Sequence, residues 1–165
     1  MATDVTIDPN DVFASADSFV KKGISGESIS QGDVVYADSV YPYRIKLADA
    51  NGSIPARTVF GIAITSVYTG QEIEFASSDP RFDCGGNISN GDALYLSKTP
   101  GKMVRDTSDF IIGDSIVVIG ASFLGSIIDL SIINSGIKIF VPTFDSDFLF
   151  TFDSTGPVDF SMATA

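Results

Sequence analysis

The sequence predicts an all-β fold, a β-sandwich or small β-barrel built from two pseudo-repeated halves with extended N- and C-terminal arms. Three observations carry that expectation. Among the 165 residues only Glu27, Glu72 and Glu74 are glutamate, against eighteen Asp; Asp competes for nearby backbone N–H groups and favours turns, whereas Glu suits helices. Fifteen Gly accompany many Ile, Val, Ser and Thr, the composition of strands joined by tight turns. A string of the form I-S-x-G-D-x-x-Y also occurs twice, 59 positions apart.

The repeat organises the chain. Ile29-Ser30-Gln31-Gly32-Asp33-Val34-Val35-Tyr36 returns as Ile88-Ser89-Asn90-Gly91-Asp92-Ala93-Leu94-Tyr95, and Val59-Phe60-Gly61-Ile62-Ala63 returns at the same offset as Val118-Ile119-Gly120-Ala121-Ser122. In the first string Gly32 and Gly91 supply a positive φ, Asp33 and Asp92 bond the local backbone, and an alternating strand follows. Gly61 and Gly120, each inside an apolar run, mark bulges or close backbone approaches, expected where the two halves cross. Each half offers three more strands: Tyr43 to Ala48, Val59 to Ala63 and Glu72 to Phe75, then Lys102 to Arg105, Val118 to Ser122 and Ile127 to Leu130. Asn51-Gly52 and Pro100-Gly101 read as tight turns in corresponding places of the halves. The duplicated domain is expected at 21–133, with halves at about 21–76 and 80–133.

Two flanks remain. Residues 1–20 are Asp-rich, with Val12, Phe13 and Phe19 as isolated apolar side chains, and Asp8-Pro9 suggests a helical turn over Asp8 to Ala16. Residues 134–165 hold six of the thirteen Phe (Phe140, Phe144, Phe148, Phe150, Phe152 and Phe160) in partial strand alternation. This stretch is either a last strand folded on its own domain or an arm that adds a strand to a neighbour. Left free, it would be an aggregation hazard.

Little here suits catalysis. The chain has no His, which excludes Ser-His-Asp and Cys-His arrangements. The single Cys84 permits no intrachain disulfide and reads as a small buried hydrophobe. Asp79 to Asp83 and Asp106 to Asp109 offer loop oxygens but lack the spacing of a calcium loop. No cofactor or metal ligand set is expected. The formal net charge of -11 opposes nucleic acid and anionic membranes, and no stretch has the roughly 20 apolar residues of a membrane-spanning helix. The first twenty residues carry four Asp and no base, unlike a secretory signal.

The core also resembles a known family. The stretch from Gly23 to Tyr36, then Tyr43 to Ala50, Phe60-Gly61-Ile62-Ala63, and Gly91 to Lys102 are together similar to the capsid decoration (cement) and head-fibre proteins of tailed bacteriophages, most of all to small cement proteins of phages infecting aquatic bacteria. That resemblance spans residues 21–132. It implies a non-enzymatic virion protein made in the host cytoplasm and seated on the outer capsid surface. It also implies the major capsid protein as partner and a dimer or trimer as the oligomer. The alternative is a tail or fibre attachment module binding a host receptor or glycan.

Overall fold

A computed structural model describes residues 3–138, 150–153 and 159–164, with side chains from 3 to 134. The expected all-β class is borne out: among the described residues the regular elements are strands, with one 3-10 turn at Pro55–Arg57. The strands are β1 (Ile7–Phe13), β2 (Phe19–Ser25), β3 (Val34–Ala37), β4 (Arg44–Leu47), β5 (Gly61–Ala63), β6 (Glu72–Gly86), β7 (Ala93–Leu96), β8 (Met103–Val104), β9 (Ser115–Leu124), β10 (Ile127–Lys138), β11 (Phe150–Asp153) and β12 (Asp159–Thr164).

The duplication is visible in the pairing. β3 pairs with β4 and β5, and β5 with β6; in the second half β7 pairs with β8 and β9, and β9 with β10. The registers obey the sequence offset: Val34 faces Ile62 and Val35 faces Gly61, while Ala93 faces Ala121 and Leu94 faces Gly120.

Each half closes on itself. In the first, β2 pairs in parallel with β4 and antiparallel with β6, so β2, β4, β3, β5 and β6 form a continuous hydrogen-bonded ring. Its inside is a small cluster of Ile29, Val35, Ile45, Ala63, Ile73 and Phe75. In the second, β6, β10, β9, β7 and β8 follow one another. The circuit is completed by the N-terminal stretch, in which Asp4 bridges to Val104 of β8 while β1 pairs with β6. A larger core fills this ring and the seam between the halves, with Val12, Phe82, Cys84, Leu96, Ile119 and Ile128 among its members. The short strands β3 and β5 are buried on both faces: Val34 and Ile62 face the larger core, Val35 and Ala63 the smaller.

This corrects the expected boundaries. Of the expected N-terminal arm at 1–20, the described residues from 3 onward are built into the domain, and Asp8 to Ala16 is not helical. β1 is part of the second ring, and β2 begins before residue 21. The cause is burial: Val5 and Val12 are isolated in sequence but both enter the core, so the segment is held by apolar contact as well as by pairing. The halves are not separated near residue 77, because β6 serves as last strand of one and first strand of the other. Nor does the domain end at 133, since β10 continues to Lys138.

Asp79 to Asp83 is strand, not loop. Pro80, which lacks an N–H, is tolerated where the register of β6 against β10 shifts between Asp79 and Phe82. The carboxylate of Asp79, almost fully buried, accepts from the Ser15 N–H at 2.7 Å, from the Ser15 hydroxyl, and from the Arg81 N–H at 2.9 Å. Burial alone would raise its pKa, but these donors outweigh it and hold the group below the usual Asp value. Asp79 therefore pins the corner between β1 and β2.

The predicted turns form with one geometry. Gly32 and Gly91 have φ of 88° and 84°. Asp33 and Asp92 accept from the N–H three residues back, Ser30 and Ser89, at 2.9 Å each. The same device recurs at Ile111 to Asp114 and, with Gln for Asp, at Tyr68 to Gln71. Gly61 and Gly120 also act alike: a Cβ at either would sit 2.2 Å from a carbonyl oxygen, of Ala76 and Asp129 respectively. Those contacts lie within each half, between β5 and β6 and between β9 and β10, rather than where the halves cross. Asn51-Gly52 follows β4 whereas Pro100-Gly101 precedes β8, so these two turns do not correspond.

Candidate partner-contact surfaces

The residues expected to meet a partner fall into three groups. Val12 does not qualify, because at 2% exposure it is core. Phe13 and Phe19, at 60% and 70%, lie on the surface. Phe150 and Phe152 lie on β11 and Phe160 on β12, which pair with each other as a separate two-stranded sheet. Phe140, Phe144 and Phe148 lie outside the described residues.

Phe13 belongs to a row that crosses four strands. It pairs with Asp83, Asp83 with Ile127, and Ile127 with Leu124. Paired residues on neighbouring strands point to one face, at about 4.8 Å per step, so the row is about 14 Å long. Phe123 and Leu124, 71% and 59% exposed, form its end at the β9–β10 turn. The turn is held: the Gly125 N–H donates to Asn90 Oδ1 at 2.7 Å, and the Ser122 hydroxyl donates to the Gly125 carbonyl at 2.7 Å. A rigid, apolar hairpin tip is therefore attached to the second Ser-x-Gly-Asp turn. Sequence reasoning missed it; its signal was two consecutive large apolar residues immediately before Gly125, where one face must be wet.

A second surface lies at the mouth of the first ring. A depression of about 530 Å³ has Ile45 and Phe75 at its floor, Pro42, Tyr43 and Phe60 as walls, and Lys21 on its rim. Tyr43, 79% exposed, takes a left-handed φ of 65°, a conformation that costs a non-glycine residue about 1–2 kcal/mol. The loop holds it there: the Tyr43 carbonyl accepts from the Ile24 N–H at 2.7 Å, and the Asp38 N–H donates to the Arg44 carbonyl at 2.8 Å. The Arg44 guanidinium stacks 4.5 Å from the Tyr41 ring centroid. Lys46 pairs with Asp38 at 3.0 Å; Asp38 is held below its ordinary value by the Val40 N–H and Lys46, and Lys46 is raised by Asp38. Lys22 lies 3.3 Å from both Glu72 and Glu74, which raise its pKa.

Among the described residues no three metal-ligating side chains converge. Asp106 is occupied by the Ser108 N–H and hydroxyl at 2.7 and 2.9 Å, whereas Asp109 pairs through Oδ2 with Lys98 at 3.8 Å and its Oδ1 is buried without a hydrogen-bond partner. Cys84 is buried, and burial pushes its thiol pKa up, away from a reactive thiolate. No helix of the described residues is long and apolar enough to cross a membrane. Compared with protein-family models and with curated proteins, the chain matches none.

Proposed function

We propose that the chain is a non-enzymatic structural protein of a tailed-phage head, a decoration or cement protein that binds the outer capsid surface and stabilises it through contacts with the major capsid protein and with its own copies. The observation that carries this reading is the pairing of a rigid body with outward apolar features. Two fused rings hold Phe13 and Leu124 in one cross-strand row with exposed Phe123 next to Leu124 at the β9–β10 turn, and a Phe-rich stretch follows β10. Clustered large apolar side chains on a fixed scaffold suit a protein surface better than a small substrate. The net charge of -11 suits an outward-facing layer and disfavours contact with packaged DNA.

The test is to mix the purified protein with expanded, DNA-free heads that lack it. Co-sedimentation and a higher melting temperature of the heads are expected, both reduced by Phe123→Ser with Leu124→Ser. A protein that leaves the heads unaffected and instead binds host cells would replace this function with receptor or glycan attachment.

A further inference from the structure

We infer that the mouth of the first ring binds a small aromatic monocarboxylate, its ring over Phe75 and its carboxylate on Lys21. The strand pairing sets up such a site. Lys21 pairs with Phe75, and Phe75 with Ala63, so these three side chains share the face that forms the inner cluster. Lys21 is thus an inward position at the open end of the ring, where a lysine lays its stem along apolar surface and keeps its ammonium in water. Ala37, also packed against the inner cluster, offers only a methyl group there. A depression of about 530 Å³ is left above Ile45 and Phe75, a volume suited to a small molecule.

The groups left free at the mouth select the ligand. Lys22 is held by Glu72 and Glu74, and Asp38 by Lys46 and the Val40 N–H. Among the described residues the Lys21 ammonium and the Tyr43 hydroxyl have no hydrogen-bond or ion-pair partner. A neutral sugar needs many hydrogen-bonding groups, and these two do not supply them. A carboxylate needs few, and a charged donor gives it a short, strong bond. A phosphate or polycarboxylate would bring a second negative charge towards Asp38, Glu72 and Glu74, so one free cation in a chain of net charge -11 selects a single anion. The walls set the body of the ligand. Tyr43, Phe60 and Phe75 bring three aromatic rings to one depression, and a flat ring packs on such rings by offset stacking or edge-to-face contact. Tyr43 is also held at a φ of 65° although 79% exposed, and backbone strain of this kind gathers at ligand clamps. The inference concerns this mouth alone and does not rest on the capsid reading.

The experiment titrates the full-length chain, labelled with ¹⁵N, with naphthoate and separately with the uncharged naphthalenemethanol. Naphthoate is expected to give saturable shifts of the Lys21, Ala37, Tyr43, Ile45 and Phe60 amides, half-complete below about 1 mM, while β7, β8 and β9 stay in place. The alcohol should bind about tenfold more weakly, the worth of one charge-assisted bond. Lys21→Met should weaken naphthoate by the same factor and leave the alcohol unchanged, which a merely structural role of the lysine would not do. Phe60→Ala should weaken both compounds. Lys21 and Phe60 are both exposed, so the fold is not at stake in either variant. Absence of saturable naphthoate shifts at the mouth would overturn the inference. So would equal binding of acid and alcohol, or naphthoate binding that survives Lys21→Met or Phe60→Ala unchanged, since the mouth would then be only an apolar patch.

Discussion

The first ring is closed by β2, which lies just before the strands it completes: Ile24 pairs with Arg44 and Ser25 with Ile45. The second ring is closed by the beginning of the chain, through the bridge from Asp4 to Val104 and the pairing of β1 with β6. Turns, glycines and register are shared between the halves, but the closing device is not. Duplication therefore copied local chemistry, while the space beside β8 was filled by a segment with no counterpart in the repeat. The cores differ to match. The first ring encloses a cluster of six buried side chains, and the second shares its larger core with the seam.

That comparison can be broken most directly at its two equivalent glycines. Gly61→Ala and Gly120→Ala each drive a methyl group into a backbone carbonyl 2.2 Å away. Each should lose upwards of about 3 kcal/mol in chemical denaturation. Similar losses support equivalence of the halves; a harmless substitution at one of them breaks it.

Next in size is the lock on the N-terminal closure. Asp79→Ala leaves the donors of the β1–β2 corner unsatisfied and should cost about 2–4 kcal/mol. Hydrogen exchange should accelerate in β1 before it does in β3 or β5. The carboxylate titrates lower folded than unfolded, so its contribution is present above the unfolded Asp value, about pH 4, and is lost as pH falls through the folded value. The wild type should therefore lose stability on acidification more steeply than Asp79→Ala.

A finer comparison uses the paired turns. Gly91→Ala meets no atom within 4 Å and incurs only the strain of positive φ, about 1 kcal/mol. Gly32→Ala bears that strain and also meets Ile7 at 2.7 Å; thermal melts should place it about 1 kcal/mol below Gly91→Ala. Smallest of all, Lys102→Ala removes a 2.8 Å contact to the buried Asp33, while Arg105→Ala removes a 3.6 Å contact to the more exposed Asp92. The first should cost about 1 kcal/mol and the second under about 0.5 kcal/mol.

What the sequence makes legible is what acts locally. A turn that needs Gly at positive φ and Asp bonding back to its own segment leaves the same letters wherever it occurs, so Gly32-Asp33 and Gly91-Asp92 reveal both turn and duplication. The turn at Tyr68 to Gln71 escapes because Gln does the work of Asp, and the one at Ile111 to Asp114 because its flanks are apolar. Long-range closure leaves almost no local mark. Val5 and Val12 look incidental in an Asp-rich stretch, and only their distant partners on β6 and β8 make them core. Asp79-Pro80 reads as a loop because two of the three donors that satisfy its carboxylate come from Ser15, far along the chain. The exposed apolar surface was half legible: Phe13 and Phe19 stand out in the sequence and lie on the surface, whereas Phe123 and Leu124 gain meaning only from the hairpin that presents them.

The N-terminal closing stretch also orders events in time. It is made before the strands it closes, and its bridge partner, Val104, follows a hundred residues later. Domains fold as they are synthesised, and contacts distant in sequence form late. The first ring, whose strands end within β6, can form while the opening residues wait; the second can be sealed only after β8 has appeared. Fusing a large tag ahead of Asp4 should therefore slow the final step of folding more than the first, a lag to be read as delayed protection of β7 and β8 in pulse-labelled hydrogen exchange.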